Sequence, residues 1–250
     1  MALSDYKTAL VTGASSGIGA AAVQALAARG VQVYAAARRR ERLDALAAAT
    51  GCQPILLDIC DSAAVYRALG GLEIDILVNN AGLGRGIFGL IQATPEDVDV
   101  TIATNVTALF HVLKAVASGM VERKRGHIVN IGSVAGLYPI VSSIYGASKG
   151  AVHLLSQNLR LELRGSGVRV TEICPGRVGT EFFDVAVDDP ATRAKVKTTG
   201  IQDLQPQDIA DAILYAVAAP WRVNVSTIEI VPNEQAFGGL HFTPVEPHLG

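Results

Sequence analysis

Short runs that are apolar at nearly every position alternate along the chain with longer Ala- and Leu-rich runs whose apolar residues recur three and four apart. The first kind reads as strand and the second as helix. The predicted order is strand 7–11, helix 18–29, strand 31–36, helix 39–49, strand 54–57, helix 62–69 and strand 74–78. A helical stretch follows from 95 to about 123, broken near Asn105, then strand 127–131, helix 144–164, strand 168–173, helix 207–218 and strand 227–231. Gly30 and Gly51 stand where a left-handed residue ends a helix, and Thr94 and Pro95 read as a cap and a first-turn proline. The runs DILVN and HIVNI carry no polar face, as expected of strands covered on both sides in a parallel sheet. The alternation predicts an α/β fold, a doubly wound parallel sheet with helices on both faces. The longest stretch without regular pattern, 176–204, is expected to be a loop that covers a site as a lid.

Composition narrows the class. The chain has 250 residues, half of them apolar, which suffices for one core, and a single domain over 1–250 is expected. A net charge of −2 with well-mixed signs gives no reason to expect a nucleic-acid or anionic-membrane partner. Cys52, Cys60 and Cys174 are odd in number and lack metal-ligand spacing, so they read as small core residues of a reducing compartment, with no disulfide framework and no metal. Charged residues interrupt the first 13 residues, where a secretory signal needs an apolar run, and no stretch approaches the ~20 apolar residues of a membrane span. A cytoplasmic protein is expected. His111, His127 and His153 fall on different elements and read as surface or half-buried side chains, and Asp75 as a residue bonding nearby backbone.

Two segments carry chemistry. TGASSGIG, at 12–19, lies between the first strand and the first helix. Gly13, Gly17 and Gly19 there permit a tight turn and close approach of backbone to a pyrophosphate at the helix N-terminus. At the end of the second strand, where a carboxylate would bind a ribose 2′-hydroxyl, the chain has Ala37 followed by Arg38, Arg39 and Arg40. Planar guanidinium forks suit a 2′-phosphate, while positive charge opposes the dipole at a helix start. This favours NADP(H), with Arg38 as main contact and Arg39 beside it. The second segment, SSIYGASKG, holds Tyr145 and Lys149 four residues apart, on one face of a helix. A free phenol has a pKa near 10, and a neighbouring ammonium together with an oxidised nicotinamide would lower it toward a working range.

These residues, with NNAG at 79–82, Asn105, Ser133 and PGRVGT at 175–180, occur in one order along the whole chain. In that order they resemble the short-chain dehydrogenase/reductase family, whose fold is of Rossmann type. The resemblance implies an oxidoreductase in which Ser133 bonds the substrate oxygen and Tyr145 exchanges a proton with it. Lys149 would bind the nicotinamide ribose and lower the Tyr145 pKa. Asn105 would kink its helix and hold a relay water. It implies further that Ser15, Ser16 and Ile18 join the glycines around the pyrophosphate, and that Asp58 and Ile59 meet the adenine. Asn80, Ala81 and Gly82 would line the ribose, and Pro175, Gly176, Val178 and Thr180 the nicotinamide. It also implies a homotetramer, in keeping with the apolar faces of 104–120 and 144–161.

The substrate is a small molecule, and its pocket is read as Val134, Tyr138, Ile140, the loop 83–89 and the stretch 177–183. The segments GHIVNIGSVAG and PGRVGTEF and the tail 223–242 resemble the subgroup acting on 3-hydroxy acids, with serine and allo-threonine dehydrogenases and sulfoacetaldehyde reductases among them. Arg177 reads either as a bidentate clamp for an acidic substrate group or as a surface arginine of the lid. Three functions follow: an NADP(H)-dependent reductase of small acidic or polar carbonyls, a broader ketone/aldehyde reductase, and a non-catalytic nucleotide sensor. The complete Ser133, Tyr145 and Lys149 set argues against the last.

Overall fold

The computed structural model describes residues 3–236 and 242–244. Its strands are β1 (Thr8–Thr12), β2 (Gln32–Ala37), β3 (Gln53–Leu56), β4 (Ile76–Asn79), β5 (Gly126–Ile131), β6 (Val168–Pro175) and β7 (Thr227–Ile230). They form one sheet in the order β3-β2-β1-β4-β5-β6-β7, and every pairing is parallel. The chain winds outward from β1 to β3, then crosses back to β4 and winds the other way. A crevice opens where the winding reverses, at the carboxyl ends of β1 and β4.

The helices are α1 (Gly17–Ala27), α2 (Arg40–Thr50), α3 (Ser62–Leu69), α4 (Pro95–Ile102), α5 (Ala108–Glu122), α6 (Ser143–Glu162), α7 (Phe182–Ala186), α8 (Pro190–Lys197) and α9 (Pro206–Ala218). Adjacent strand residues face opposite sides, so the core divides in two. Ala9 and Val11 pack with α1, α2 and α9, whereas Leu10 packs with α3, α5 and α6. Element ends differ from the sequence expectation by one or two residues, as hydrogen-bond ladders fray.

Three expectations change. The stretch 176–204 is not one long loop, because α7 and α8 interrupt it. The side chain of Asp189 caps α8 ahead of Pro190, the same cap-and-proline signal that Thr94 and Pro95 provide for α4. The run Pro95–Glu122, 28 residues, is long and apolar enough to cross a membrane by length and composition, and its inner face packs on the sheet as a core helix. His127, expected on the surface or half-buried, is fully buried on β5. The distinctive tail lies partly outside the described residues, which omit 237–241.

Asp75 does bond nearby backbone. It accepts from the amides of Lys7 and Thr8 at 2.8 and 3.3 Å, and it pairs with Arg125.

Candidate active site

A cleft of about 930 Å³ runs along the carboxyl ends of β1, β4, β5 and β6. The Gly-rich turn forms one wall. Gly13 and Gly17 both have positive φ (65° and 53°), which suits glycine. A Cβ at Gly13 would come within 2.8 Å of the Ala81 backbone, and one at Gly17 within 3.1 Å of Thr180. The Thr12 hydroxyl accepts from the amides of Asn80 and Ala81, both at 3.1 Å, and so locks NNAG against the turn. Three strand ends and the start of α1 thus leave a bare backbone cradle that a side chain would fill, which fits a dinucleotide pyrophosphate.

At one end of the cleft stand Arg38 and Arg39. The Arg38 side chain is 71% exposed, with Asp58 at 3.9 Å. Arg39 is more tightly held: Nε and Nη2 donate to the hydroxyls of Ser15 and Ser16 at 2.9 and 2.6 Å, and Nη1 to Glu181 at 2.8 Å. Arg42 donates to the other Glu181 oxygen at 2.6 Å. These two guanidinium groups pull the Glu181 carboxyl down to about 2.

The other end holds Ser133, Tyr145 and Lys149. Ser133 follows β5 and caps a single 3₁₀ turn, its hydroxyl accepting from the Ala135 amide at 3.1 Å. Tyr145 and Lys149 sit in the first two turns of α6. The Lys149 ammonium donates to the Ile131 carbonyl at 2.8 Å and lies 5.9 Å from the centre of the Tyr145 ring. Tyr145 packs on Phe182 of the lid, ring centres 5.2 Å apart. Burial pushes the Tyr145 phenol up to about 12, with the hydrogen bond from Ser133 a smaller opposing effect. Burial also brings Lys149 down to about 8, against the pull of Cys174 and Glu172. Burial is the largest effect on both groups, whereas the expected lowering of Tyr145 draws on a bound oxidised nicotinamide as well as on Lys149.

Of the expected residues, Ser15, Ser16, Ile18, Ile59, Gly82, Val134, Pro175, Gly176, Val178 and Thr180 also line the cleft. Three do not. Gly19 backs the turn, where a Cβ would meet the Asn80 amide at 2.6 Å. Asn105 sits behind the wall in one turn of π-helix, Ala103–Thr107, which is the break expected there. It brackets Leu83, accepting from its N–H at 2.9 Å and donating to its carbonyl at 2.7 Å, and also donates to Ser148 at 2.9 Å. Tyr138 turns away, and its hydroxyl donates to Glu229 of β7 at 2.9 Å. Arg177 reaches the cleft, but Nε pairs with Asp203 at 2.7 Å, Nη2 donates to the Lys197 carbonyl at 2.9 Å, and the guanidinium stacks on Phe183.

Two residues fall in stretches read as pocket, 177–183 and 83–89, but their ion pairs were not foreseen. Glu181 is one. Arg85 is the other: it forks onto both oxygens of Asp188 at 2.7 Å while Nε pairs with Asp97 at 2.9 Å, so it clamps the loop after β4 to the lid. One cluster escaped the sequence reading altogether. Beneath the Ser133 loop, His153 bonds Glu172 at 2.6 Å, and with Cys174 these ligand atoms fall within 4.8 Å of one another. Glu172 and Cys174 lie on β6 and His153 on α6, so no linear spacing announces the cluster.

Residues 7–191 match the short chain dehydrogenase family. The NADP-dependent 3-hydroxy acid dehydrogenase YdfG of Salmonella typhi is 42% identical over 92% of this chain and 97% of its own length. The uncharacterized short-chain type dehydrogenase/reductase y4eK of Sinorhizobium fredii is 40% identical over 96% of this chain and 97% of its own. The closed form of a serine dehydrogenase complexed with NADP+ superposes with a TM-score of 0.89 at 39% identity, covering 94% of this chain and 99% of that one. The chain belongs to the short-chain dehydrogenase family, and it is an oxidoreductase with that family's Rossmann-type fold.

Proposed function

We propose that the protein is an NADP(H)-dependent enzyme that interconverts the hydroxyl and carbonyl forms of a short 3-hydroxy acid or similarly small polar compound. The carrying observation is one continuous cleft with Ser133, Tyr145 and Lys149 at one end and Arg38 and Arg39 at the other. The names of the relatives support the cofactor and the substrate class.

The dinucleotide would be held by the cradle of Gly13, Gly17 and Ala81, with its 2′-phosphate at Arg38, and it supplies or accepts the hydride. The protein's part is positioning and proton handling. With its pKa at about 12, Tyr145 carries its proton at neutral pH and is set to donate it to a carbonyl oxygen. The Ser133 hydroxyl is the second donor at that oxygen, where negative charge grows during reduction, so both bonds strengthen toward the transition state. Lys149, pinned by the Ile131 carbonyl, keeps a cation beside the phenol for the reverse direction. Phe182 and the lid cover Tyr145 and keep water off the reacting atoms.

The test is kcat/KM on a panel of short hydroxy acids, oxo acids and neutral ketones of matched size, with NADPH, NADH and their oxidised forms. Preference for acids with NADP(H) supports the proposal, and turnover of neutral ketones alone rejects the substrate class. One observation favours a broader ketone reductase as the second reading. The substrate end is walled by Ile87, Phe88, Val134, Phe183 and Phe242, and Arg177 is already paired with Asp203.

We also propose a cytoplasmic homotetramer. Phe110 and Val121 on α5 and Leu154 and Leu161 on α6 are exposed, as are Tyr215 on α9 and Trp221 just after it. Two separate apolar patches suit two different two-fold contacts.

A further inference from the structure

Glu181 opens the lid, one residue before α7, yet its side chain lies at the adenosine end of the cleft. Both carboxylate oxygens are engaged, one by Arg39 at 2.8 Å and one by Arg42 at 2.6 Å. Arg39 in turn grips Ser15 and Ser16 of the Gly-rich turn. A single carboxylate therefore ties the lid to α2 and to the phosphate-binding turn, across 142 and 139 residues of chain. The same carboxylate sits among the cations expected to read a ribose phosphate. Arg38, Arg39 and Arg42 face two acids there, Asp58 and Glu181.

We propose that Glu181 sets the strength of the cleft's preference for a 2′-phosphorylated dinucleotide, by opposing that phosphate electrostatically while it latches the lid. The inference rests on the NADP(H) reading above. A bound phosphate and the Glu181 carboxylate draw on the same guanidinium charge. The latch thus lowers phosphate affinity and in return holds the lid over the substrate. Glu181 is a positioning residue for the lid and a specificity residue for the cofactor, and it touches no reacting atom.

The size follows from Coulomb's law. A carboxylate several ångströms from a phosphate dianion, in a site open to water, changes its affinity by about three- to tenfold. The side chain of Glu181 is 43% exposed, so the lower half of that range is expected at physiological salt, where screening is strong.

Glu181→Gln keeps the shape and removes the charge; its amide oxygen still accepts from one arginine, while its NH2 is a donor and loses the bond from the other. Three readouts are compared with wild type: the dissociation constants of NADPH and NADH by cofactor fluorescence, KM for the hydroxy substrate at saturating cofactor, and the rate of tryptic cleavage in the lid at Arg193, Lys195 and Lys197. The wild-type ratio is read first, since equal binding of NADPH and NADH overturns the NADP(H) reading itself. Given an NADPH preference, the variant should shift the ratio about three- to fivefold further toward NADPH, raise KM and speed lid cleavage. A loosened lid with an unchanged ratio overturns the proposal and leaves Glu181 a mechanical anchor. A shift toward NADH overturns it in the other direction, with Glu181 holding the arginines in place for the phosphate. Repeating the binding at 1 M salt should shrink the shift, because the Debye length there is only ~3 Å.

Discussion

Replacing Arg177 by Leu separates a substrate clamp from a lid strut. The Arg177 side chain is 8% exposed and its partner Asp203 23%. The two residues flank the place where the lid's ends meet: Val178 bridges Leu204, the Gly179 amide donates to the Leu204 carbonyl at 2.8 Å, and the Leu204 amide to the Arg177 carbonyl at 3.1 Å. The substitution removes an ion pair, a bond to the Lys197 carbonyl and a guanidinium stacked 4.9 Å from the Phe183 ring centre. Breaking a fully buried pair costs about 3–5 kcal/mol, and partial exposure of Asp203 brings this down to about 2 kcal/mol. If that falls on lid closure rather than on the whole fold, kcat/KM drops about thirtyfold. The loss should be equal for a short oxo acid and a neutral ketone of the same size. Thermal unfolding should shift by only a few degrees, because a local opening precedes the global one. Asp203→Asn should reproduce the effect, and the double variant should add little to either single one. The reasoning fails if the acid loses more than tenfold while the ketone stays within twofold of wild type. Arg177 would then be binding the acid group.

Tyr145→Phe should leave the stack on Phe182 and cofactor binding intact while turnover falls by at least a hundredfold; turnover within a few-fold of wild type removes Tyr145 from the chemistry. Arg38→Ala should weaken NADPH about ten- to a hundredfold and NADH hardly at all, measured by fluorescence titration. Since Tyr145 is held up at about 12 and Lys149 brought down to about 8, alcohol oxidation should speed up as pH rises toward 8 and gain less per unit beyond it, where Lys149 loses its charge. Buried His127 has its pKa brought down to about 3, first by burial and then by Arg169. Its Nε2 bonds Thr171 at 2.8 Å, and Nδ1 has no partner among the described residues to receive a second proton. The unfolded chain takes up that proton below pH 6.5 and the native one does not until about 3, so stability should fall with pH across that window by about 1.4 kcal/mol per unit. Denaturant titrations of His127→Asn should show that slope flattened, and an unchanged slope would assign the acid sensitivity elsewhere. Gly132→Ala would drive a Cβ into the Glu172 carboxylate and to 3.2 Å from Cys174, and should cost stability by about 1–3 kcal/mol in urea melts.

Local chemistry fixed a large part of this protein. Apolar runs without a polar face, separated by amphipathic stretches with Gly30, Gly51, Thr94 and Pro95 as punctuation, are enough to specify a parallel doubly wound sheet, because each run has only one way to bury itself. The site was legible for the same reason. The residues of a turn, a strand end and two turns of one helix are neighbours along the chain, so TGASSGIG, the arginines after β2 and Tyr145 with Lys149 carry their spacing in the sequence. Tertiary structure decided what depends on partners far away. Arg39 and Glu181 are 142 residues apart, Arg85 and Asp188 103, and Arg177 and Asp203 26, and no local pattern says which charge will neutralise which. The direction of the Tyr145 shift was decided there too. Spacing supplied the ammonium four residues on, but burial depends on what the lid and the sheet place around the ring, and in this protein burial is the larger effect.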